Sequence, residues 1–116
     1  MHRWLFLLCL LPSTLLAEEA IVRVVNVHSA DTIVVLHDGK AETIRLKGID
    51  CSESSVRAKK YATNTIGGKN LTVKTDGKDK YGRTLADLFL ENGNHFNREL
   101  VRTGHCRWGR SRAMRK

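Results

Sequence analysis

The sequence predicts an α+β domain, mainly β, in which five short strands close into a barrel that carries two to three short helices. Two observations lead there. Five β-branched runs are each bounded by Gly, Asn or Asp turn signals. One helical run is inserted after the third of them and another follows the fifth. A length of 116 residues allows one such domain and no more.

Residues 20–27, AIVRVVNV, read as the first strand, and DTIVVL at 31–36 reads as the second. HDGK at 37–40 is a hairpin turn, because an Asp-Gly pair supplies the positive φ angles that a tight turn needs. ETIRL at 42–46 is the return strand. Its alternation sets Ile44 and Leu46 on one face and Thr43, Arg45 and Lys47 on the other, so Arg45 points away from the core. Gly48 breaks this strand. SSVRAKKYATNTI at 54–66 predicts a helix with Ser52 or Ser54 as its cap and a thin apolar side of Val56, Ala58, Tyr61, Ala62 and Ile66. Gly67 and Gly68 end it. KNLTVKT at 69–75 is a fourth strand, TDGKDKYG is a polar turn region, and RTLADLFL at 83–90 is a fifth strand turned by ENGN at 91–94. A short helix over about 97–103 follows, capped by Asn97 and closed by Gly104. This order suits a small closed barrel of the oligonucleotide-binding (OB) type.

The start of the chain stands apart from that domain. His2 and Arg3 precede an apolar stretch from Trp4 to Leu16, and Ala17 is a small residue at a cleavage position, which together predict a secretory signal peptide over 1–17. The barrel domain is then expected over 18–108 and a basic tail over 109–116. Cleavage removes Arg3 and no acid, so the formal charge of +8 falls by one to +7. An exported, soluble chain of that charge favours polyanions such as nucleic acid, acidic polysaccharide or anionic membrane surfaces, although charge also serves solubility alone. The lack of a long amphipathic basic helix counts against a membrane-active protein. From Arg98 to Lys116 seven Lys or Arg stand against Glu99, which suits a phosphate-binding arm or a frayed basic end. Cys51 and Cys106 remain after the leader is lost. They either pair in an oxidising compartment or stay as two buried thiols, and they have no zinc-like spacing.

Residues 42–53, ETIRLKGIDCSE, place an arginine inside an apolar strand and two acids just beyond its end. SADTI at 29–33, IRLKGIDCSE at 44–53, DKYGRTLADL at 79–88 and NRELVRTG at 97–104 occur in that order. Together they resemble the staphylococcal nuclease (thermonuclease) family, from about Val22 to Trp108. The resemblance implies a five-stranded OB-type barrel and a calcium-dependent phosphodiesterase acting on DNA and RNA. It implies Asp31 and Asp50 as metal ligands, with Cys51 contributing its backbone carbonyl. It implies Arg45, Glu53 and Arg83 as catalytic residues, and Lys80 and Tyr81 as contacts to a nucleotide phosphate. A monomer that is secreted or periplasmic is expected.

The residue types suit that chemistry. Calcium takes oxygen ligands, which two carboxylates and a carbonyl supply. Glu53 is the remaining nearby carboxylate to activate water. Two planar guanidinium forks match the non-bridging oxygens of a phosphodiester as lysine does not. Tyr81 and Trp108 offer rings for base stacking, Trp108 more readily as core. Three departures from the family pattern stand out. Ser29-Ala30 replaces an acidic-glycine pair, Ser52 replaces a proline, and the chain stops before a further helix. A nucleic-acid-binding barrel without catalysis is therefore the competing expectation, although pure binding does not call for the carboxylates.

Overall fold

The computed structural model describes residues 18–52 and 54–109. The signal peptide expected over 1–17, Glu53, and all but the first residue of the expected basic tail lie outside them. The elements in order are β1 (Glu19–Ser29), β2 (Thr32–His37), β3 (Lys40–Leu46), β4 (Ile49–Asp50), α1 (Val56–Ile66), β5 (Asn70–Lys78), β6 (Thr84–Phe89), α2 (Phe96–Arg102) and β7 (Arg107–Trp108). Five strands close a barrel in the order β1-β2-β3-β6-β5, as the sequence predicts. All its pairings are antiparallel except β3 with β6, which run parallel. That one parallel pair needs a long crossover, and α1 with β5 provides it.

Irregularities in β1 give the barrel its curvature. Val22 and Val24 face inward, then the register shifts between Val24 and Asn26, and Val27 and Ser29 face inward instead. One extra residue in a strand reverses which side chains point to the core and bends the strand. The β2–β3 turn has Asp38 at φ 54° and Gly39 at φ 79°, the left-handed pair that the Asp-Gly signal calls for. Ala30 does not need a positive φ, so the missing glycine of the first motif carries no backbone strain. Ala30 is buried in the core instead. Ile33, Val35, Ile44, Leu46, Ala86 and Leu88 fill the barrel, and Phe96 and Leu100 join their cluster from α2.

The helix caps differ from expectation. Ser55, not Ser52 or Ser54, caps α1, and its hydroxyl accepts from Ala58 N at 3.1 Å. A cap must directly precede the first helical residue, and Ser52 and Ser54 bond each other at 3.1 Å. Ala58, Ala62 and Ile66 form the buried stripe of α1 at a spacing of four, while Val56 faces solvent. Asn97 is not a cap either. Helix α2 starts one residue earlier, after His95, and Asn97 is fully buried. Its carbonyl accepts from Leu88 N at 3.0 Å, and its amide donates to Lys47 O at 3.1 Å and Ala86 O at 3.2 Å. It therefore ties α2 to β6 and to the end of β3. Gly104, at φ 81°, closes α2 as expected.

The two-stranded sheet of β4 and β7 is not legible in the sequence. It pairs Ile49 with Trp108 and Asp50 with Arg107. Beside it Cys51 and Cys106 form a disulfide across a Cα–Cα distance of 4.4 Å, which resolves the two alternatives for these cysteines. No helix among the described residues is long and apolar enough to cross a membrane.

Candidate active site

Asp31 sits in the tight turn between β1 and β2. The β2–β3 register sets Thr32 opposite Arg45, which brings the Arg45 side chain to that turn. The Asp31 carboxylate is 6% exposed and fully engaged. Its Oδ1 accepts from Ser29 Oγ at 3.0 Å and Thr32 Oγ1 at 3.1 Å. Its Oδ2 accepts from Cys51 N at 3.0 Å and lies 3.1 Å from Arg45 Nη1. Four donors occupy about all the lone-pair directions a carboxylate has.

Arg45 links both acids. Its Nη1 also donates to Leu46 O at 3.0 Å, and its Nη2 donates to Asp50 Oδ1 at 3.2 Å. Asp50 is 51% exposed, and its Oδ2 accepts no hydrogen bond among the described residues. Gly109 backs this carboxylate. A Cβ at position 109 would lie 3.1 Å from Asp50 Oδ2, and Gly109 N donates to Gly48 O at 2.8 Å. Asp31, Asp50 and the peptide of Cys51 are thus brought together. Asp50 is open to solvent and Asp31 shares its carboxylate with the Arg45 guanidinium, and carboxylate and carbonyl oxygens are the donors that a hard cation takes. Among the described residues no group of three or more His, Cys, Asp or Glu could hold a metal ion.

The second half of the site comes from the turn before β6. Asp79 organises it. Its Oδ1 accepts from the backbone N–H groups of Tyr81 and Arg83, each at 2.9 Å. Its Oδ2 accepts from Arg83 Nε at 2.7 Å. Partial burial raises the Asp79 carboxyl, but the Arg83 backbone and guanidinium bonds and the Tyr81 bond outweigh it and hold the group below the usual range. Arg83 Nη1 and Nη2 have no hydrogen-bond partner among the described residues. Tyr81 is 72% exposed, with Lys80 and Arg83 each 5.4 Å from its ring centre. Arg45, Asp50, Asp79, Lys80, Tyr81 and Arg83 line one cleft of ≈ 380 Å³, together with Gly109.

Sequence reasoning missed Asp79 and Gly109. Asp79 left a trace, an aspartate at the head of a Lys-Tyr-Gly turn. Gly109 left none, because its contact with Asp50 depends on how β7 folds back. Glu53 lies outside the described residues.

The cleft on this OB-type barrel thus combines two arginines and a lysine with two carboxylates, Asp50 and Asp79, a set of donors whose cations suit an anion. The family model described as staphylococcal nuclease homologue matches residues 43–115. The chain is 36% identical over 86 residues to an uncharacterized endonuclease of Escherichia coli O157:H7, covering 71% of this chain and 56% of that protein. It is 32% identical over 105 residues to a thermonuclease of Staphylococcus hyicus, covering 78% and 60%. It is 35% identical over 96 residues to a thermonuclease of Staphylococcus intermedius, covering 71% and 55%. This chain belongs to the staphylococcal nuclease family. It spans between 55% and 60% of the length of these three curated relatives.

Proposed function

We propose that the chain is an exported, monomeric, calcium-dependent nuclease that hydrolyses phosphodiester bonds in DNA and RNA. The observation that carries this reading is the cleft shared by Arg45, Asp50, Lys80, Tyr81 and Arg83, where cationic donors converge beside a solvent-facing carboxylate. Family membership supports it. Asp31, Asp50 and the Cys51 carbonyl would hold calcium, which when bound polarises a phosphoryl oxygen and draws charge from phosphorus. Lys80 and Tyr81 hold a neighbouring phosphate. Arg83, braced through Nε by Asp79, keeps its remaining N–H groups for the non-bridging oxygens, and Arg45 serves them from the barrel wall. Glu53 takes the proton of the attacking water. Export is supported by the apolar run from Trp4 to Leu16 in the sequence and by a disulfide suited to an oxidising compartment.

A barrel that binds nucleic acid without cutting it is the second reading. The saturation of Asp31 by Ser29, Thr32, Cys51 and Arg45 favours it, because the acid is already satisfied by this chain's own donors. Incubation of the full chain with single-stranded DNA and RNA, in calcium and then in chelator, separates the two. Cutting in calcium that stops in chelator is expected, as is its loss in Glu53→Ser. Arg83→Ala is expected to lose about 10²–10³-fold in rate, roughly 3–4 kcal/mol of barrier. Binding without cutting selects the second reading, and cutting that survives chelation removes calcium from the first.

A further inference from the structure

A second groove, of ≈ 580 Å³, is lined by Asp50, Cys51, Ser52, Gly104, His105, Cys106 and Arg107. Asp50 lines both clefts, so the two adjoin at this residue. The β4–β7 register sets Arg107 directly opposite Asp50. Opposed residues of an antiparallel pair project their side chains to the same face. The Arg107 side chain therefore stands on the Asp50 side of this small sheet. It is exposed, and no acid among the described residues pairs with it. Arg102, the preceding arginine, differs, since Glu99 holds it at 2.7 Å.

The walls of the groove are fixed. The Cys51–Cys106 disulfide joins its two sides. His105 stacks on Tyr61 with ring centres 4.3 Å apart, and its Nδ1 meets Thr103 Oγ1 at 2.8 Å. Burial, with the Arg57 charge adding to it, holds the imidazole below its usual pKa, so it stands as a neutral ring at neutral pH. Arg45 pairs with Asp50 at 3.2 Å and shares its charge between Asp50 and Asp31. An anion entering the groove thus meets the Arg107 guanidinium, which no acid among the described residues holds, beside a carboxylate that Arg45 already contacts.

We propose that this groove is a second phosphate subsite, which takes the phosphodiester continuing a nucleic-acid strand beyond the Arg45–Lys80–Arg83 cleft, with Arg107 as its cation. The inference deepens the nuclease reading and rests on it.

The test uses the full chain and labelled single-stranded DNA with phosphorothioate linkages, which keep the charge and resist cutting. Binding is followed by fluorescence anisotropy for a ten-nucleotide strand and for a nucleoside monophosphate, at several salt concentrations in calcium. Arg107→Gln is expected to weaken the strand about fivefold at low salt, leave the monophosphate unchanged, and lower the slope of log K against log salt by about 0.7. Arg107→Lys, which keeps the charge, restores most of the strand affinity. Equal loss for both ligands, or no loss for the strand, overturns the subsite while the wild type still cuts unmodified DNA. A wild type that neither binds nor cuts any strand overturns the subsite together with the nuclease reading.

Discussion

Arg45 leaves β3 on the side facing away from the core, yet it is only 19% exposed, because Asp31 and Asp50 draw its guanidinium along the barrel wall. Asp79 plays the matching part for Arg83, and here the pH dependence follows in sign. Its carboxyl is held below the ordinary value in the folded chain, so the unfolded chain binds the proton more readily. The stability it contributes is present above the ordinary carboxylate range and is lost as pH falls through the lowered value. Asp79→Asn keeps the shape and removes the charge. Thermal melts of that variant between pH 7 and 3 are expected to show a shallower acid limb than the parent. An unchanged limb would show that the Asp79–Arg83 pair does not couple to folding. Arg45 and Arg83 were legible as residues because the motifs name them. Asp79 was less so, since an aspartate in a polar turn has the same appearance whether or not it braces a neighbour.

At the scale of elements, the segment from Gly104 to Gly109 acts as a strap on the loop after β3. It bonds through β7 to β4, through Gly109 N to Gly48 O, and through Cys106 to Cys51. Cys51 N in turn bonds the Asp31 carboxylate. The disulfide closes a loop of 55 residues. Chain entropy assigns such a closure about 4 kcal/mol. Cys106→Ser is expected to lower the denaturant midpoint accordingly, and a reductant should shift the melting of the parent but not of the variant. No difference between parent and variant under oxidising conditions would mean that the bridge adds no stability. The main strands and both helices were readable because β-branched runs, Asp-Gly and Gly-Gly signals are local. The strap was not, because two residues per strand are too few to carry a periodic pattern. Asn97 was misread for a related reason. An asparagine near a helix start resembles a cap, and only the packing of α2 on β6 turns its amide inward.

For the whole molecule, the net charge of +8 and the cleft chemistry point the same way, toward a polyanion. A second acid-sensitive step follows from His105. Burial first, and then the Arg57 charge, hold its imidazole below 6.5, so the folded state binds fewer protons than the unfolded state near that pH. Stability is therefore present above the ordinary histidine value and falls as pH drops through it. His105→Phe keeps a ring against Tyr61 and cannot protonate. Between pH 7.5 and 5.5 its melting temperature is expected to vary less than that of the parent. A variant that tracks the parent across this range would assign the dependence to another group. The sequence by itself determined the barrel, because strand length, turn chemistry and the inserted helix are local consequences of which residues follow one another. It also carries Asp31, Arg45, Asp50 and Arg83 in motifs that occur in order. Only the tertiary structure decided that Arg45 bridges two acids, that Asp79 braces Arg83, and that Arg107 stands opposite Asp50. Those relations join residues from different strands and turns, and the closure of the barrel sets the distances between them.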